Sequence, residues 1–324
     1  AQIDRRVAEL YGVPELLRAE SLTPSDIDAA LPSEQEAEED DEADEECEAF
    51  APSTLSPAPL VSDLLMWCVG TAFGRWDVRY ALHPETLPAL PGPFDPLPVC
   101  SPGMLQGEDG LPLPESPPGY PLPIAWDGFL VDDPGHPRDI LLTVRRVLRL
   151  LWAERADDIE AEACQLLGVP DLRSWLCDSK GFFAYHTKRY SKSRRKAPIY
   201  WLLQSAKRNY AIWLYYPRLN PDSLFFAGRE YADAKLKLEE GHLEDLQAGL
   251  AGVTGGARKL HERRLAAQQA LVAELKAFIK TLDSAAFLEI KPDLNDGVLL
   301  NIAPLHALVP WKEAERTWAE LLSG

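Results

Sequence analysis

KRYSKSRRKAPIYWLLQSAKRNYAIWLYYPR, residues 188–218, is the stretch whose reading decides the fold. It carries Lys188, Arg189, Lys192, Arg194, Arg195, Lys196, Lys207, Arg208 and Arg218, and no Asp or Glu. Two runs inside it, 197–203 and 210–216, are rich in aromatic and β-branched side chains, which favour a pleated, half-buried surface. The polar residues 204–209 separate them. This pattern predicts a β-hairpin with a longer loop. Successive side chains alternate across a strand, so Trp201 and Leu203 share one face and Tyr200 and Leu202 the other. Lys207 and Arg208 fall in the loop, where long cations reach outward.

Outward from the hairpin, the pattern is helical. Residues 60–73 form an apolar run of helix length, closed by Gly74. Residues 75–80 then offer Arg75, Asp77 and Arg79 as an ion-paired corner. Residues 124–137 read as a turn-rich lead-in to one long helix over 139–167, whose stripe is Ile140, Val144, Val147, Leu148, Leu151 and Trp152, continued by Ile159, Ala163 and Leu166. Residues 171–177 are a short helix, and 182–190 a further one, with Phe182, Phe183, His186 and Tyr190 on one face. After the hairpin, Leu236, Leu243 and Leu250 recur every seven residues, and Leu271, Leu275, Phe278 and Leu282 make a second stripe. GVTGG between them predicts an antiparallel helical hairpin. Residues 298–302 read as a short strand or buried segment, and 311–322 as a last amphipathic helix. The expected fold class is therefore mainly α with a small β-hairpin or sheet (α+β), and a helical hairpin arm near the C-terminus.

The organisation expected from composition has four parts. Residues 1–32 hold N-terminal helices, the first over 1–11 and a second starting near Thr23 or Ser25. Residues 33–59 read as an acidic, disordered linker, because like charges repel and little apolar surface is available to bury. Residues 60–180 form a helical domain with a Pro-rich loop at 85–123, too rich in proline for helix interiors or central strands. Residues 181–324 hold the basic, aromatic hairpin region, the helical hairpin at 221–282 and the C-terminal helix.

The formal charge is −18, but residues 34–48 alone contribute eleven acids and no base, and without them the balance is −7. Polyanion binding depends on local patches more than on totals, so an acidic chain with a cationic island stays within the nucleic-acid-binding class. No apolar run is long enough to span a bilayer, so no membrane is expected as a partner. The first residues, AQIDRRVAELYG, lack the apolar core of a signal peptide. Five scattered cysteines without a CxxC pair argue against a disulfide framework or structural zinc, and fit a reducing cytoplasm.

Chemistry-bearing constellations are sparse. No glycine-rich phosphate loop, HExxH or GxSxG occurs. Asp132, Asp133 and His136 raise a metal site, but an Asp-Pro-Gly sequence suits turn and capping roles better. Asp77 reads as an ion-pair partner, and His186 as a packed histidine. No catalytic residue, cofactor or metal is assigned to this chain. Trp201, Trp213 and Tyr215 read as hairpin core, whereas Tyr190 and Tyr200, flanking the cations, are candidate contacts.

Several stretches resemble one family. GTAFGRWDVRY (70–80), DGFLVDDPGHPRDI (127–140), GFFAYHTKRYSKSRRKAPIYWLL (181–203), YAIWLYYPRL (210–219) and PDLNDGVLLNIAPLHAL (292–308) are similar, in order and spacing, to the C-terminal part of large adenine-specific DNA methyltransferases. These belong to BREX and DISARM phage-defence systems and to single-chain restriction–modification enzymes. The resemblance implies S-adenosylmethionine-dependent methylation of adenine N6 in double-stranded DNA by the full enzyme. It places the catalytic loop and cofactor motif N-terminal to the matched part, in a catalytic domain present in cis or as a partner chain. The matched part is then expected to grip DNA, with Lys188, Arg189, Lys192, Arg194, Arg195 and Lys196 as phosphate contacts and Lys207, Arg208, Tyr190 and Tyr200 as further DNA-binding candidates. The competing expectation is a protein–protein assembly module that docks a partner through the helical hairpin.

Overall fold

The computed structural model describes residues 57–192, 195–250, 254–288 and 297–323. The helices expected in 1–32 and most of the acidic linker lie outside the described residues. Helix α1, Pro57–Ala72, is apolar on almost every side and buries Leu65, Cys68, Val69 and Ala72. Gly74 at φ 68 closes it. Its amide bonds Thr71 O at 2.9 Å and the Arg75 amide bonds Gly70 O at 2.8 Å, the paired bonds of a left-handed helix stop. The Pro-rich stretch that follows is irregular but bonded. The Tyr120 hydroxyl accepts from the Val78 amide at 3.1 Å, and isolated bridges join Trp76 to Met104 and Gln106 to Pro112.

Strand β1, Phe129–Val131, lies where the sequence suggested only turns. Three residues are too few to show alternation, and the partner that makes them a strand is the run Ile212–Leu214, far along the chain. Helix α2, Ile140–Trp152, starts at Asp139, whose carboxylate accepts from the Leu142 amide at 3.0 Å. The single helix expected over 139–167 is in fact two. Ala153 adopts φ 47, and α3, Ala156–Leu167, turns back to pack on both α1 and α2. The apolar stripe continues in phase across the break, so periodicity does not reveal it. Arg145 clamps α2 to α3 through two 2.7 Å bonds to Glu160.

Helix α4, Leu172–Leu176, is capped by Asp171. A π-helical turn over Ser179–Phe183 leads into α5, Ala184–Arg189. Gly181 is required in that turn, because a Cβ there would stand 2.2 Å from the Trp175 carbonyl oxygen. A two-residue ribbon follows: β2, Ser191–Lys192, pairs antiparallel with β3, Arg195–Lys196. The expected hairpin is β4, Tyr200–Gln204, against β5, Ala211–Tyr215, with Tyr200 opposite Tyr215 and Gln204 opposite Ala211. β1 adds to the other edge of β5, giving the order β1-β5-β4.

Both sheet faces are covered, which is why β4 and β5 are buried at every position. Tyr200, Leu202, Trp213 and Tyr215 share the face toward Phe73 and Phe182, with Phe182 and Trp213 ring centroids 4.9 Å apart. Trp201, Leu203, Ile212 and Leu214 share the other, where Trp201 stacks on Tyr216 at 4.7 Å. Each fully buried large side chain contributes about 1.5–3 kcal/mol by removal from water. One hydrophobic core runs from Leu65 to Ala314, drawing on both 60–180 and 181–324.

A second π-helical turn, Ala227–Ala232, opens the arm. It consists of α6, Asp233–Gly249, and α7, Gly255–Ala286, as the heptad spacing predicts. All buried residues of α7 lie at or beyond Val272, so its first half projects away from the core. α8, Val298–Ile302, is a turn and a half of helix rather than a strand, and it buries Asn301 and Ile302 while Leu300 is exposed. Asn301 Nδ2 donates to the Tyr216 hydroxyl at 3.0 Å. α9, Lys312–Ser323, ends the described chain.

Candidate nucleic-acid interface

The cationic ribbon stands on two feet, and one histidine joins them. The π-helical turn and α5 direct Phe182, Phe183 and His186 inward and leave Lys188 and Arg189 exposed. His186 Nε2 accepts from the amides of Ile199, at 2.9 Å, and Tyr200, at 3.1 Å. The end of α5 and the start of β4 are thereby tied together at the root of the β2–β3 ribbon. With Nε2 accepting, Nδ1 carries the proton, and that proton has no acceptor. Burial, helped by the nearby Arg75 charge, pushes the His186 pKa down to about 3, so the ring is neutral at physiological pH. It contributes position rather than proton transfer.

The candidate contacts fall into two groups. Lys188 makes no ion pair with a described carboxylate, and Arg189 meets Asp63 at 3.2 Å with its side chain 60% exposed. The backbone pairs Ser191 with Lys196 and Lys192 with Arg195; the side chains of Lys192, Arg194, Arg195 and Lys196 lie outside the described residues. Lys207 and Arg208 form the second group, at the far end of β4, a five-residue strand that spans about 17 Å. Glu274 on α7 holds that tip, accepting from the Lys207 amide at 2.8 Å and Asn209 Nδ2 at 2.6 Å. Burial opposes its charge, but the Ser205 side chain together with these bonds keeps the Glu274 carboxyl below its ordinary range. Arg208 reaches Asp178 at 3.4 Å. Exposed pairs of this kind are worth about 0–1 kcal/mol, so both arginines exchange partners readily.

The two tyrosines part company. Tyr190 is half-buried, its ring 4.6 Å from that of His186. Tyr200 is 1% exposed, enclosed by Phe73, Phe182 and Tyr215. Its place as a candidate contact is corrected: a ring at the centre of the sheet face cannot stack on a base, and it belongs with Trp201, Trp213 and Tyr215 in the core.

The corner at 75–80 also differs from expectation. Asp77 is taken by Arg79, whose Nε and Nη2 donate at 3.0 and 2.7 Å. Arg75 instead lies over the Trp76 and Tyr190 rings, 5.0 and 5.9 Å from their centroids. No spacing rule pointed there. Asp132 and Asp139 both bind Arg173, Asp133 binds Lys235 at 2.6 Å, and His136 Nδ1 accepts from the Arg138 amide at 3.0 Å. These side chains serve folding, and no metal-holding group occurs among the described residues. No described helix is long and apolar enough to cross a membrane.

Fold and site together define a mainly helical α+β unit that presents cations at both ends of a β-hairpin with an aromatic core. No family model matches the chain. A curated protein, the adenine-specific methyltransferase BrxX of Escherichia coli O9:H4 (strain HS), is 27% identical over 196 residues. The match covers 56% of this chain and 16% of that protein, so the chain spans well under a fifth of the relative it matches. This similarity supports a relationship to an adenine-specific methyltransferase.

S-adenosylmethionine is the cofactor such a relationship brings into view, and the described residues do not fit it. Adenosyl cofactors in open α/β sheets bind at the carboxyl ends of parallel strands. This sheet is antiparallel, and the passage from β1 to α2 has its aspartates committed to Arg173 and Lys235. No methyl-transfer step is derived from this chain.

Proposed function

We propose that this chain is a DNA-engaging, non-catalytic part of an S-adenosylmethionine-dependent N6-adenine DNA methyltransferase. It corresponds to the C-terminal, target-positioning region or to a separate subunit, in a cytoplasmic restriction–modification or phage-defence system of the BREX kind. Its partners are double-stranded DNA and a methyltransferase catalytic domain, in cis or as another chain. An enzyme that modifies a base in a duplex must take it out of the stack, and a flanking module holds the backbone meanwhile.

The observation that carries this reading is the un-neutralised cationic surface in an acidic protein. Lys188 and Lys207 make no ion pair with described carboxylates, and Arg189 and Arg208 make only exposed ones. Lys188, Arg189, Lys192, Arg194, Arg195 and Lys196 are phosphate contacts on this reading. Six contacts predict that affinity for a DNA duplex falls about a thousandfold between about 50 and 200 mM salt. The test is fluorescence anisotropy with a labelled duplex. Reversing Arg194, Arg195 and Lys196 to Glu should abolish binding with an unchanged circular dichroism spectrum; retained affinity in the folded variant rejects the proposal.

The projecting half of the arm favours a second reading, an assembly module. Leu260 is 53% exposed on it. The same variant separates the two, because docking through the arm does not need the ribbon's charges.

A further inference from the structure

The cations singled out by sequence are not the whole positive surface. Arg75 and Arg218 both lie near Tyr215. The Arg75 charge acts on the Tyr215 side chain, and the Arg218 guanidinium carbon is 5.7 Å from the centre of its ring. Arg218 also lies over Trp126, at 4.2 Å, while Arg75 lies over Trp76 and Tyr190. Gly74, next to Arg75 in the chain, lies close to Arg218: a Cβ there would stand 3.1 Å from Arg218 Nη2.

Both arginines are half-buried, and neither has an ion pair with a described carboxylate. Asp77, two residues from Arg75, and Asp127, the acid whose charge acts on Arg218, already have partners. Asp77 binds Arg79 through both oxygens. Asp127 binds the Tyr231 hydroxyl and lies 3.7 Å from Arg138. Arg218 Nη1 donates to Ala125 O at 3.1 Å, and Arg75 Nε is buried with no acceptor at all. Burial holds the Arg218 pKa below its ordinary value despite the neighbouring Tyr215 and Asp127, whereas at Arg75 burial is outweighed by the surrounding tyrosines, which raise its pKa. Stacking on rings orients a guanidinium and offsets part of its desolvation, but it leaves the outward N–H groups to find an acceptor elsewhere. In a chain of charge −18, two partly desolvated, ring-held guanidinium groups left without carboxylates mark a seat for an external anion.

We infer that Arg75 and Arg218, held by Trp76, Tyr190, Trp126 and Tyr215, form a seat for a backbone phosphate of DNA. The inference rests on the DNA-engaging reading above and extends it. Tyr190 is the last residue before the ribbon, and its carbonyl accepts from the Ala197 amide at 3.2 Å, closing the ribbon's root. The seat therefore continues the track of Lys188 and Arg189 onto the turn after α1. Arginine presents paired donors to a phosphate, so the two guanidinium groups grip the strand while the ribbon follows it.

The experiment uses the full chain and a fluorescein-labelled DNA duplex, with binding measured across a salt series. Removing one phosphate-binding cation lowers the slope of log affinity against log salt by about 1, so Arg75→Gln with Arg218→Gln should lower it by about 2. Arg75→Lys with Arg218→Lys keeps the charges and should restore most of the slope. If Arg75→Gln fails to fold, Arg218→Gln alone decides, with an expected fall of about 1. An unchanged slope in a folded variant, alongside abolished binding on reversal of Arg194, Arg195 and Lys196, overturns the seat and leaves the broader reading standing. A wild-type chain that does not bind the duplex overturns both.

Discussion

Lowering the pH from 7.5 to 5.5 should weaken this fold through His186, and the size of the effect follows from its surroundings. The ring is fully buried, accepts two amides at Nε2 and lies near the Arg75 charge. Its pKa falls from an ordinary 6.5 to about 3 on folding. The unfolded chain therefore binds a proton between those values and the folded chain does not. Stability contributed by the neutral ring is present above pH 6.5 and disappears as pH falls toward 3. One unit below the unfolded pKa the loss is RT ln 11, about 1.4 kcal/mol, and at pH 7.5 it is under about 0.1 kcal/mol. Carboxylates held below their ordinary range, such as Glu239 and Glu274, act at lower pH and leave this window to histidine. The assay is urea denaturation at both pH values for the wild type and His186→Gln, whose amide oxygen still accepts from β4 but does not titrate. The wild type should lose about 1.4 kcal/mol more than the variant over the interval. Parallel losses would mean that the buried ring already carries its proton or that it is not buried in solution, and either refutes the reasoning.

Two further outcomes test the frame. Arg173→Ala strands two carboxylates, Asp139 with a side chain 3% exposed and Asp132 with one 15% exposed, and should cost about 3–5 kcal/mol by denaturant midpoint. Removing the acids as well, by Asp132→Asn and Asp139→Asn, should recover part of that loss; no recovery would show that the charges are not what is being stranded. Gly181→Ala drives a Cβ against the Trp175 carbonyl oxygen and should cost at least about 1–3 kcal/mol, with loss of duplex binding because α5 and the ribbon shift together. Wild-type stability in that variant would place the π-helical turn elsewhere.

Where a signal repeats along the chain, sequence alone settled the matter. The β4–β5 hairpin, the α6–α7 arm and the apolar α1 each rest on periods of two or 3.6 residues, or on a run long enough to need no period. The cationic ribbon is a matter of composition and was equally plain. The tertiary structure decided the remainder. It made Phe129–Val131 a strand, because β5 offers an unpaired edge more than 80 residues away. It broke 139–167 at Ala153, because α3 packs on both α1 and α2 by turning back. It took Tyr200 inside, where sheet alternation names a face but not what covers it. It set Arg75 against Tyr190 and Arg218 against Trp126, pairs 115 and 92 residues apart in sequence. Periodicity reports which side of an element is apolar; which neighbour lies against that side is decided only when distant segments fold together.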